Sequence, residues 1–269
     1  MRLFRIALAV VTAVALTGCI NSTTLVKLKA DGSGTVEQTT LMNVAAIKAM
    51  MPGADKQAGG GLVNTADLER TASRMGKGVR LVSAEPAKGA NGFEGSKAIF
   101  AYDDINQIQV SQGPIMSGST DGRMSSEPTA EDPVRFTLTR AGGTSTLTIA
   151  FVDKPGSGKG DQGAGNSSDM PDLTNPMMMN MIKSMFAGFK INIDLEVAGT
   201  IVKTNAEYVT GSRLTLLEMD MEALLADEAK LKALQSKLGP DASLSAVKPY
   251  LKDIKGIKID GPTINVEFR

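Results

Sequence analysis

The sequence predicts an α+β fold: a mainly antiparallel β-sheet covered by several helices, with long flexible Gly-rich loops. Three observations predict this class. Apolar and polar residues alternate in several short segments, most regularly over 189–197, as on a strand with one buried face. Neighbouring segments of this kind are separated by short turns containing glycine, which is typical of antiparallel hairpins. Residues that cap helices also stand before apolar stripes of helical spacing.

The first half of the chain is predicted to be mostly strand. A hairpin is expected around the turn at 31–34, because its glycines tolerate the positive φ that tight turns require. Thr65 is a candidate N-cap for the second of two helices. The predicted strands are 24–30, 35–42, 79–84, 92–102, 134–139 and 146–151, and the predicted helices are 44–51 and 66–75.

The second half has the clearest strand, in which five apolar residues from Phe189 to Val197 alternate with four polar ones. The polar residues, predicted to face water, are Lys190, Asn192, Asp194 and Glu196. Asp220 is expected to cap a leucine-rich helix that ends before Gly239 and Pro240. The other predicted strands are 201–203, 213–219 and 264–268, and the other predicted helices are 176–188 and 243–251.

Composition divides the chain into a leader, an anchor and one domain. Residues 1–18 are predicted to be a lipoprotein signal peptide and 19–23 a lipid anchor with a short tether. Residues 24–269 are predicted to form a single α+β domain. Three polar segments rich in Gly, Ser and Pro within it have little to bury, so 52–61, 111–132 and 153–175 are predicted to be flexible.

The N-terminal region has the pattern of an export signal. Arg2 and Arg5 precede an apolar run over 6–16, which is too short to cross about 30 Å of hydrocarbon at about 1.5 Å per helical residue. The run leads into Leu16, Thr17, Gly18 and Cys19. These four residues resemble the bacterial lipobox, in which the cysteine thiol accepts a diacylglyceryl group and lipoprotein signal peptidase cuts after the small residue. The resemblance implies a covalent lipid on Cys19, and we expect no cofactor beside it.

Composition also limits the partners. Cys19 is the only cysteine, so the mature domain cannot form intrachain disulfides. The chain has 29 basic and 29 acidic residues, and loss of Arg2 and Arg5 leaves 27 against 29, which gives no electrostatic case for nucleic acid. The expected partner is a membrane, held through acylated Cys19. The expected location is the cell envelope, at the outer membrane if the host has two membranes, because Ile20 replaces the aspartate that signals inner-membrane retention in enteric-type systems.

Two segments carry a resemblance to exported bacterial lipoproteins of unassigned function. Segment 25–36 reads LVKLKADGSGTV and segment 198–220 reads AGTIVKTNAEYVTGSRLTLLEMD. Their strands, their glycine turn and the small polar pair Asn205 and Ala206 resemble the mycobacterial LppM-like lipoproteins. This resemblance implies a sheet covered by helices and allows a lipid-accommodating groove, but it carries over no catalytic residue. The Met-rich segment and the long glycine gaps depart from that family.

The residue types that are missing argue against an enzyme. The chain has no histidine, which excludes histidine-based triads and His-ligated zinc, and its one thiol is assigned to lipid. Three carboxylate groupings remain: Asp103 with Asp104, Glu218 with Asp220 and Glu222, and Asp227 with Glu228. Adjacent acids usually face water, and a glycosidase needs two carboxyls facing each other across a cleft. No EF-hand spacing is present, so we expect no metal site.

The unusual feature of the composition is a Met-rich segment after Pro176. On a helix from Pro176 to Gly188, one face would carry Met178, Met181, Ile182, Met185 and Phe189. Methionine is flexible and polarisable, so this face could line an adaptable apolar groove for an acyl chain or a partner. The alternative is a helix packed on its own sheet, since an apolar helical stripe is usually core.

These observations predict a membrane-anchored envelope lipoprotein with a non-enzymatic binding or structural domain, for which lipid or acyl chains are candidate ligands. The alternative is a lipoprotein that assembles with other envelope proteins, and an enzyme using a carboxylate cluster ranks last. A lipid-binding domain predicts an apolar cavity beside the Met-rich helix. An assembly domain predicts an exposed apolar patch or a free strand edge, and an enzyme predicts acids converging in a cleft.

Overall fold

The computed structural model describes residues 20–44, 63–111, 133–151, 176–227 and 244–269, and these ranges are mostly strand. The strands are β1 Ile20–Leu28, β2 Gly34–Asn43, β3 Arg80–Lys88, β4 Phe93–Tyr102, β5 Gln109–Ser111, β6 Pro133–Ala141, β7 Thr144–Phe151, β8 Lys190–Val197, β9 Ile201–Thr204, β10 Val209–Thr210, β11 Arg213–Asp220, β12 Ile257–Ile259 and β13 Thr263–Phe268. The helices are α1 Thr65–Met75, α2 Pro176–Met185, α3 Met221–Ala226 and α4 Leu244–Leu251, with a 3-10 turn at Ile105–Gln107.

The strands form two sheets. The large sheet has eight strands in the order β10, β11, β8, β1, β2, β4 and β3, with β12 paired to β11. The small sheet has five, in the order β5, β6, β7, β13 and β9. Within the described ranges, β1 with β8 is the one parallel pair, and the other pairs are antiparallel. The large sheet is therefore mixed, and β1 lies at its centre.

The buried faces of the two sheets meet in one hydrophobic core. Val26, Phe100 and Leu195 of the large sheet belong to the same cluster as Phe136 and Ile149 of the small sheet. Alternation explains the small sheet well, because every second residue of β6 from Val134 to Leu138 is buried and the residues between them are exposed. The second layer over the core is thus a sheet.

The predicted fold class is therefore wrong, because a second sheet stands where a cover of helices was expected. Alternation identifies a strand with one buried face, but it does not reveal which sheet the strand joins. The sequence predicts one sheet that includes the hairpin of β6 and β7, whereas this hairpin pairs through β13 with β9 in a second sheet. The helices of the described ranges are also short, and α3 ends at Ala226.

Several element boundaries also differ from the prediction. The strand β1 begins at Ile20, so residues 20–23, predicted as a tether, are its first four residues. The N-cap of α1 is Asn64 and not Thr65, because the Asn64 side chain accepts hydrogen bonds from the backbone N–H groups of Ala66 and Asp67. Asp220 caps α3 as predicted.

Most of the three segments predicted to be flexible lies outside the described residues, and so do most of the helix predicted at 44–51 and residues 228–243. Among the helices that the structure describes, none combines the length and the apolar character needed to cross a membrane.

Candidate functional site

The predicted lipidation motif ends where the described structure begins. Leu16, Thr17, Gly18 and Cys19 lie outside the described residues, and Ile20 is both the first described residue and the first residue of β1. Consecutive Cα atoms are about 3.8 Å apart across a trans peptide bond. Cys19 is therefore covalently next to the central strand of the large sheet.

The strand register identifies what else lies at this end of the sheet. Ile20 is opposite Met42, and Met42 is opposite Glu94. On the other side, the parallel pairing places Asn21 beside Lys190, and Lys190 is opposite Asp220 at the end of β11. We call this edge, with Ile20, Met42, Glu94, Lys190 and Asp220, the Ile20 end of the sheet.

The helix α2 leads directly into the Ile20 end. Phe186 N–H donates to the carbonyl of Ile182 at 3.0 Å, and Phe189 N–H donates to the carbonyl of Phe186 at 3.0 Å. The rings of Phe186 and Phe189 meet edge to face, with centroids 5.9 Å apart. Gly188 has a φ of 78° and lies between α2 and β8, against Phe93 at the start of β4. A Cβ at position 188 would lie 2.7 Å from the Phe93 ring, so glycine suits this turn both in its conformation and in its size.

The Met-rich face is only partly described. Ile182 is half-buried and Phe189 is buried in the common core, whereas the side chains of Met178, Met181 and Met185 lie outside the description. Two further methionines differ sharply: Met177 is 81% exposed and Met179 is buried. The groove along this face stays a prediction. Phe189 belongs to the core and follows the C-terminal end of α2.

An ion pair joins two strands at the Ile20 end. Lys190 Nζ lies 2.7 Å from Asp220 Oδ2, and the hydrogen bond to Asp220 raises the pKa of Lys190 above its usual value. The other oxygen of Asp220 accepts from the N–H groups of Glu222 and Ala223 and so caps α3. Asp220 is thus engaged on both oxygens and fixes the start of α3 beside β8.

Ion pairs also cover the face of the large sheet that points away from the core. They join neighbouring strands, and opposite-charge pairs of this kind stabilise strand pairing. The pairs are Lys27 with Glu37, Arg213 with Asp194, Lys190 with Asp220 and Lys258 with Glu218. This face is polar at the positions of these pairs.

Asp194 is the residue on this face that sequence reasoning misjudged. Alternation predicted it to face water, but its side chain is only 3% exposed. Its cross-strand neighbours are Leu25 and Thr215, and Arg213 Nη2 lies 2.6 Å from Asp194 Oδ2. Asp194 Oδ1 and the nearby Asn192 Oδ1 have no hydrogen-bond partner among the described residues. Because these neighbours come from separate strands, the local sequence does not predict that Asp194 is buried.

Asp103, Asp104 and Glu218, three members of the carboxylate groupings, have structural partners. Asp103 Oδ1 lies 3.0 Å from Arg80 Nη1, and Asp104 accepts hydrogen bonds from Asn106. Glu218 Oε2 lies 2.7 Å from Lys258 Nζ. No group of three or more metal-ligating side chains is found within the described ranges. These acids stabilise turns, caps and strand pairs, and the described ones do not converge in a cleft.

One further buried carboxyl lies near α4. Burial is the main cause that raises the pKa of Asp260, although its oxygens accept from the N–H groups of Glu207 and Gly261 at 3.1 and 2.7 Å. The hydrogen bond from Lys248 lowers the pKa of neighbouring Glu207. The crevice beside them, lined by Tyr208, Lys248 and Ile257 among others, is too narrow to admit a water molecule. It offers no room for a substrate.

Comparison with known proteins gives one structural neighbour. A scan against protein-family models finds no match, and a search of curated proteins finds none. The chain is similar to the NMR structure of the Mycobacterium tuberculosis LppM protein folded domain, at 11% identity and a TM-score of 0.32. The match covers 94% of this chain and 91% of that one. This neighbour bears the name of the family that segments 25–36 and 198–220 resemble, and at this TM-score it assigns no residue a role.

Proposed function

We propose that the protein is a membrane-anchored envelope lipoprotein whose domain has a non-enzymatic binding or structural role. The observation that carries the proposal is the position of Cys19. It is the only cysteine of the chain, it ends the lipobox-like segment 16–19, and it directly precedes the first residue of β1. Two or more acyl chains on this cysteine would hold the domain stably on a bilayer.

The non-enzymatic part of the proposal is supported by how the described polar groups are used. Asp103, Asp104, Glu218 and Asp220 are engaged in ion pairs or caps, and histidine is missing from the sequence. A general acid or base needs a side chain within reach of a substrate in a cleft. The buried Asp194 is already paired with Arg213.

The anchor is tested by replacing Cys19 with serine, which has no thiol for the lipid transfer. In cells fed labelled palmitate, Cys19→Ser should remain an unprocessed and unlabelled precursor, while Thr17→Ser, which keeps the thiol, should be processed and labelled. Because the chain has no second cysteine, label cannot move to another thiol. Label that persists in Cys19→Ser would refute the lipoprotein assignment.

The ligand class is tested separately. We propose lipid or acyl chains as the ligand, with an envelope protein as the alternative. Native mass spectrometry of unlipidated protein, made without residues 1–18 and with Cys19 replaced by serine and purified from cells, should detect a retained lipid as an added mass of lipid size. Protein that carries no lipid, and that instead crosslinks in cells to another envelope protein, would favour the assembly role.

A further inference from the structure

The turn that joins β3 to β4 contains a residue in an uncommon conformation. Asn91 has a φ of 55° and is the one non-glycine residue with a positive φ among those that the structure describes. Gly92 follows it with a φ of 77°, and Phe93 N–H donates to the carbonyl of Ala90 at 3.1 Å. Positive φ at both central residues is typical of a type I′ turn, for which asparagine followed by glycine is a preferred pair. Asn91 and Gly92 therefore form the tip of this hairpin, and both are exposed.

The polar groups at this tip are not held by the rest of the described structure. Within the described ranges, neither the Asn91 side chain nor the Gly92 N–H takes part in a hydrogen bond. Two bonds close the turn, the one from Phe93 to Ala90 and one from Gly89 N–H to the Phe93 carbonyl at 2.8 Å. The strand β3 before the turn is an edge strand that pairs with β4. Opening of an exposed hairpin tip at the edge of a sheet disturbs few contacts.

We propose that Asn91 is a site of spontaneous deamidation, at which the main chain of Gly92 converts the side-chain amide into a succinimide and then into aspartate or isoaspartate. The Gly92 nitrogen loses its proton to a solvent base and attacks Asn91 Cγ. The new C–N bond closes a five-membered ring, the bond between Cγ and Nδ2 breaks, and Nδ2 leaves as ammonia. Water then opens the ring at either carbonyl. One water is consumed and one ammonia is released, with no oxidation or reduction.

The residue after Asn91 favours this reaction. Gly92 has no Cβ, so its nitrogen can approach the Asn91 side chain with less hindrance than that of any other residue type. Asparagine is among the thermolabile residues, and Asn91 with Gly92 is the one Asn-Gly pair of the sequence. Exposure of both residues gives water and base access to the reacting groups.

Two other exposed asparagines serve as matched controls inside the same chain. Asn106 Nδ2 donates to Asp104 at 2.7 Å, and its Oδ1 accepts from the Leu138 N–H at 2.7 Å. The Asn205 side chain likewise donates to and accepts from the main chain of β13, at 3.1 and 2.6 Å. Both are exposed like Asn91, but their amides are held on both sides and neither is followed by glycine.

Deamidation would change both the charge and the length of the turn. Either product carries a carboxylate where the amide was neutral, and isoaspartate also adds a methylene group to the main chain. A type I′ turn fits its two central residues closely, so the longer main chain should loosen the bonds that close it. It should also loosen the bond that Val44 N–H donates to the Gly92 carbonyl at 3.3 Å, which ties this turn to the end of β2.

Peptide mapping by mass spectrometry tests the site directly. The folded full-length chain is incubated in mildly alkaline buffer, and Asn91 should gain the mass change of deamidation severalfold faster than Asn106 and Asn205. Equal rates at the three sites would overturn the proposal. In urea, the rates at Asn106 and Asn205 should rise more than the rate at Asn91, because only those two lose hydrogen bonds of the side chain. A rise at Asn91 as large as theirs would show that the folded turn protects it, and would also overturn the proposal.

A single variant assigns the product to this turn. Asn91→Gly removes the side-chain amide and keeps the turn, because glycine readily adopts a positive φ. Circular dichroism before incubation checks that the variant is folded like the wild type. Labelling of isoaspartate by a protein isoaspartyl methyltransferase should be severalfold weaker in aged Asn91→Gly than in aged wild-type protein. Equal labelling would assign the isoaspartate to other positions, such as Asp31 before Gly32, and would refute the proposed site.

Discussion

Removal of the Arg213 charge should destabilise the domain, because it leaves the Asp194 carboxylate buried and unpaired. Arg213→Met keeps much of the aliphatic stem that covers the carboxylate but removes the guanidinium that lies 2.6 Å from Asp194 Oδ2. Asp194 Oδ1 already lacks a hydrogen-bond partner among the described residues. The variant would therefore hold a carboxylate with no partner on either oxygen among the described residues.

The magnitude follows from the exposure of the two side chains. Breaking a fully buried pair costs roughly 3–5 kcal/mol, but Arg213 is 45% exposed, so water can reach part of the vacated space and we expect a loss of about 2–3 kcal/mol. Lys258→Met is the matched control. Its partner distance, 2.7 Å, and its 43% exposure are close to those of Arg213, but Glu218 is 30% exposed, so the expected loss is below about 1 kcal/mol.

Urea unfolding followed by far-UV circular dichroism measures both variants. In a domain of this size, the loss in Arg213→Met corresponds to a fall in melting temperature of about 4–12 °C. Adding Asp194→Asn to Arg213→Met should recover part of the stability at pH 7. An Arg213→Met variant that loses no more stability than Lys258→Met would refute this reasoning.

Two further predictions concern the opposite end of the sheet. Gly34→Ala should lower the free energy of unfolding by about 2 kcal/mol, because the added methyl group would overlap the Lys27 carbonyl oxygen and the Tyr102 hydroxyl. The control is Gly261→Ala, whose methyl group would lie 3.8 Å from its nearest neighbour and should cost less than about 1 kcal/mol. An equal loss of stability in the two variants would contradict the steric explanation. Burial raises the pKa of Tyr102, whose hydroxyl donates to the Lys27 carbonyl at 2.8 Å, so stability should be intact below the unfolded-state pKa of about 10 and fall as the pH rises above it. Absorbance at 295 nm should show that Tyr102 ionises only when the protein unfolds at alkaline pH. Tyr102→Phe should lessen the loss of stability at alkaline pH. Ionisation of Tyr102 near pH 10 in the folded protein would disprove the prediction.

Local patterns predicted the long strands because one face of each is buried by a single continuous core. Val134, Phe136 and Leu138 of β6 are buried as alternation requires, and so are Ile191 and Leu195 of β8. The strands that were missed, β5, β10 and β12, have two or three residues, which is too few for a period to be recognised. Neither β-propensity nor the period of apolar residues shows which strands pair, so neither could predict that the strands form two sheets.

The start of β1 shows a second reason for the misses. Its inward-facing positions near Ile20 are Ser22 and Thr24, which are buried although both are polar, so no apolar alternation marks the strand there. Pairing on both sides creates the strand: β2 opposes residues 20–28 and β8 lies beside 21–28. Such tertiary pairing between segments far apart in sequence has no local signature. The lipobox-like motif was recognisable, but its junction with a central strand was not.

That junction changes how an anchored domain would behave. A lipoprotein with a long flexible linker can turn freely above its membrane, because each added linker residue widens the range of orientations. Here the last residue of the motif adjoins a strand held by hydrogen-bond ladders on both sides, so the chain could gain such freedom only by detaching the first residues of β1 from β2 and β8. Detachment would also remove Ser22 and Thr24 from their buried positions and separate Asn21 from Lys190. If Cys19 is acylated as proposed, the ladders that complete the sheet would therefore limit how far the domain can turn about its anchor.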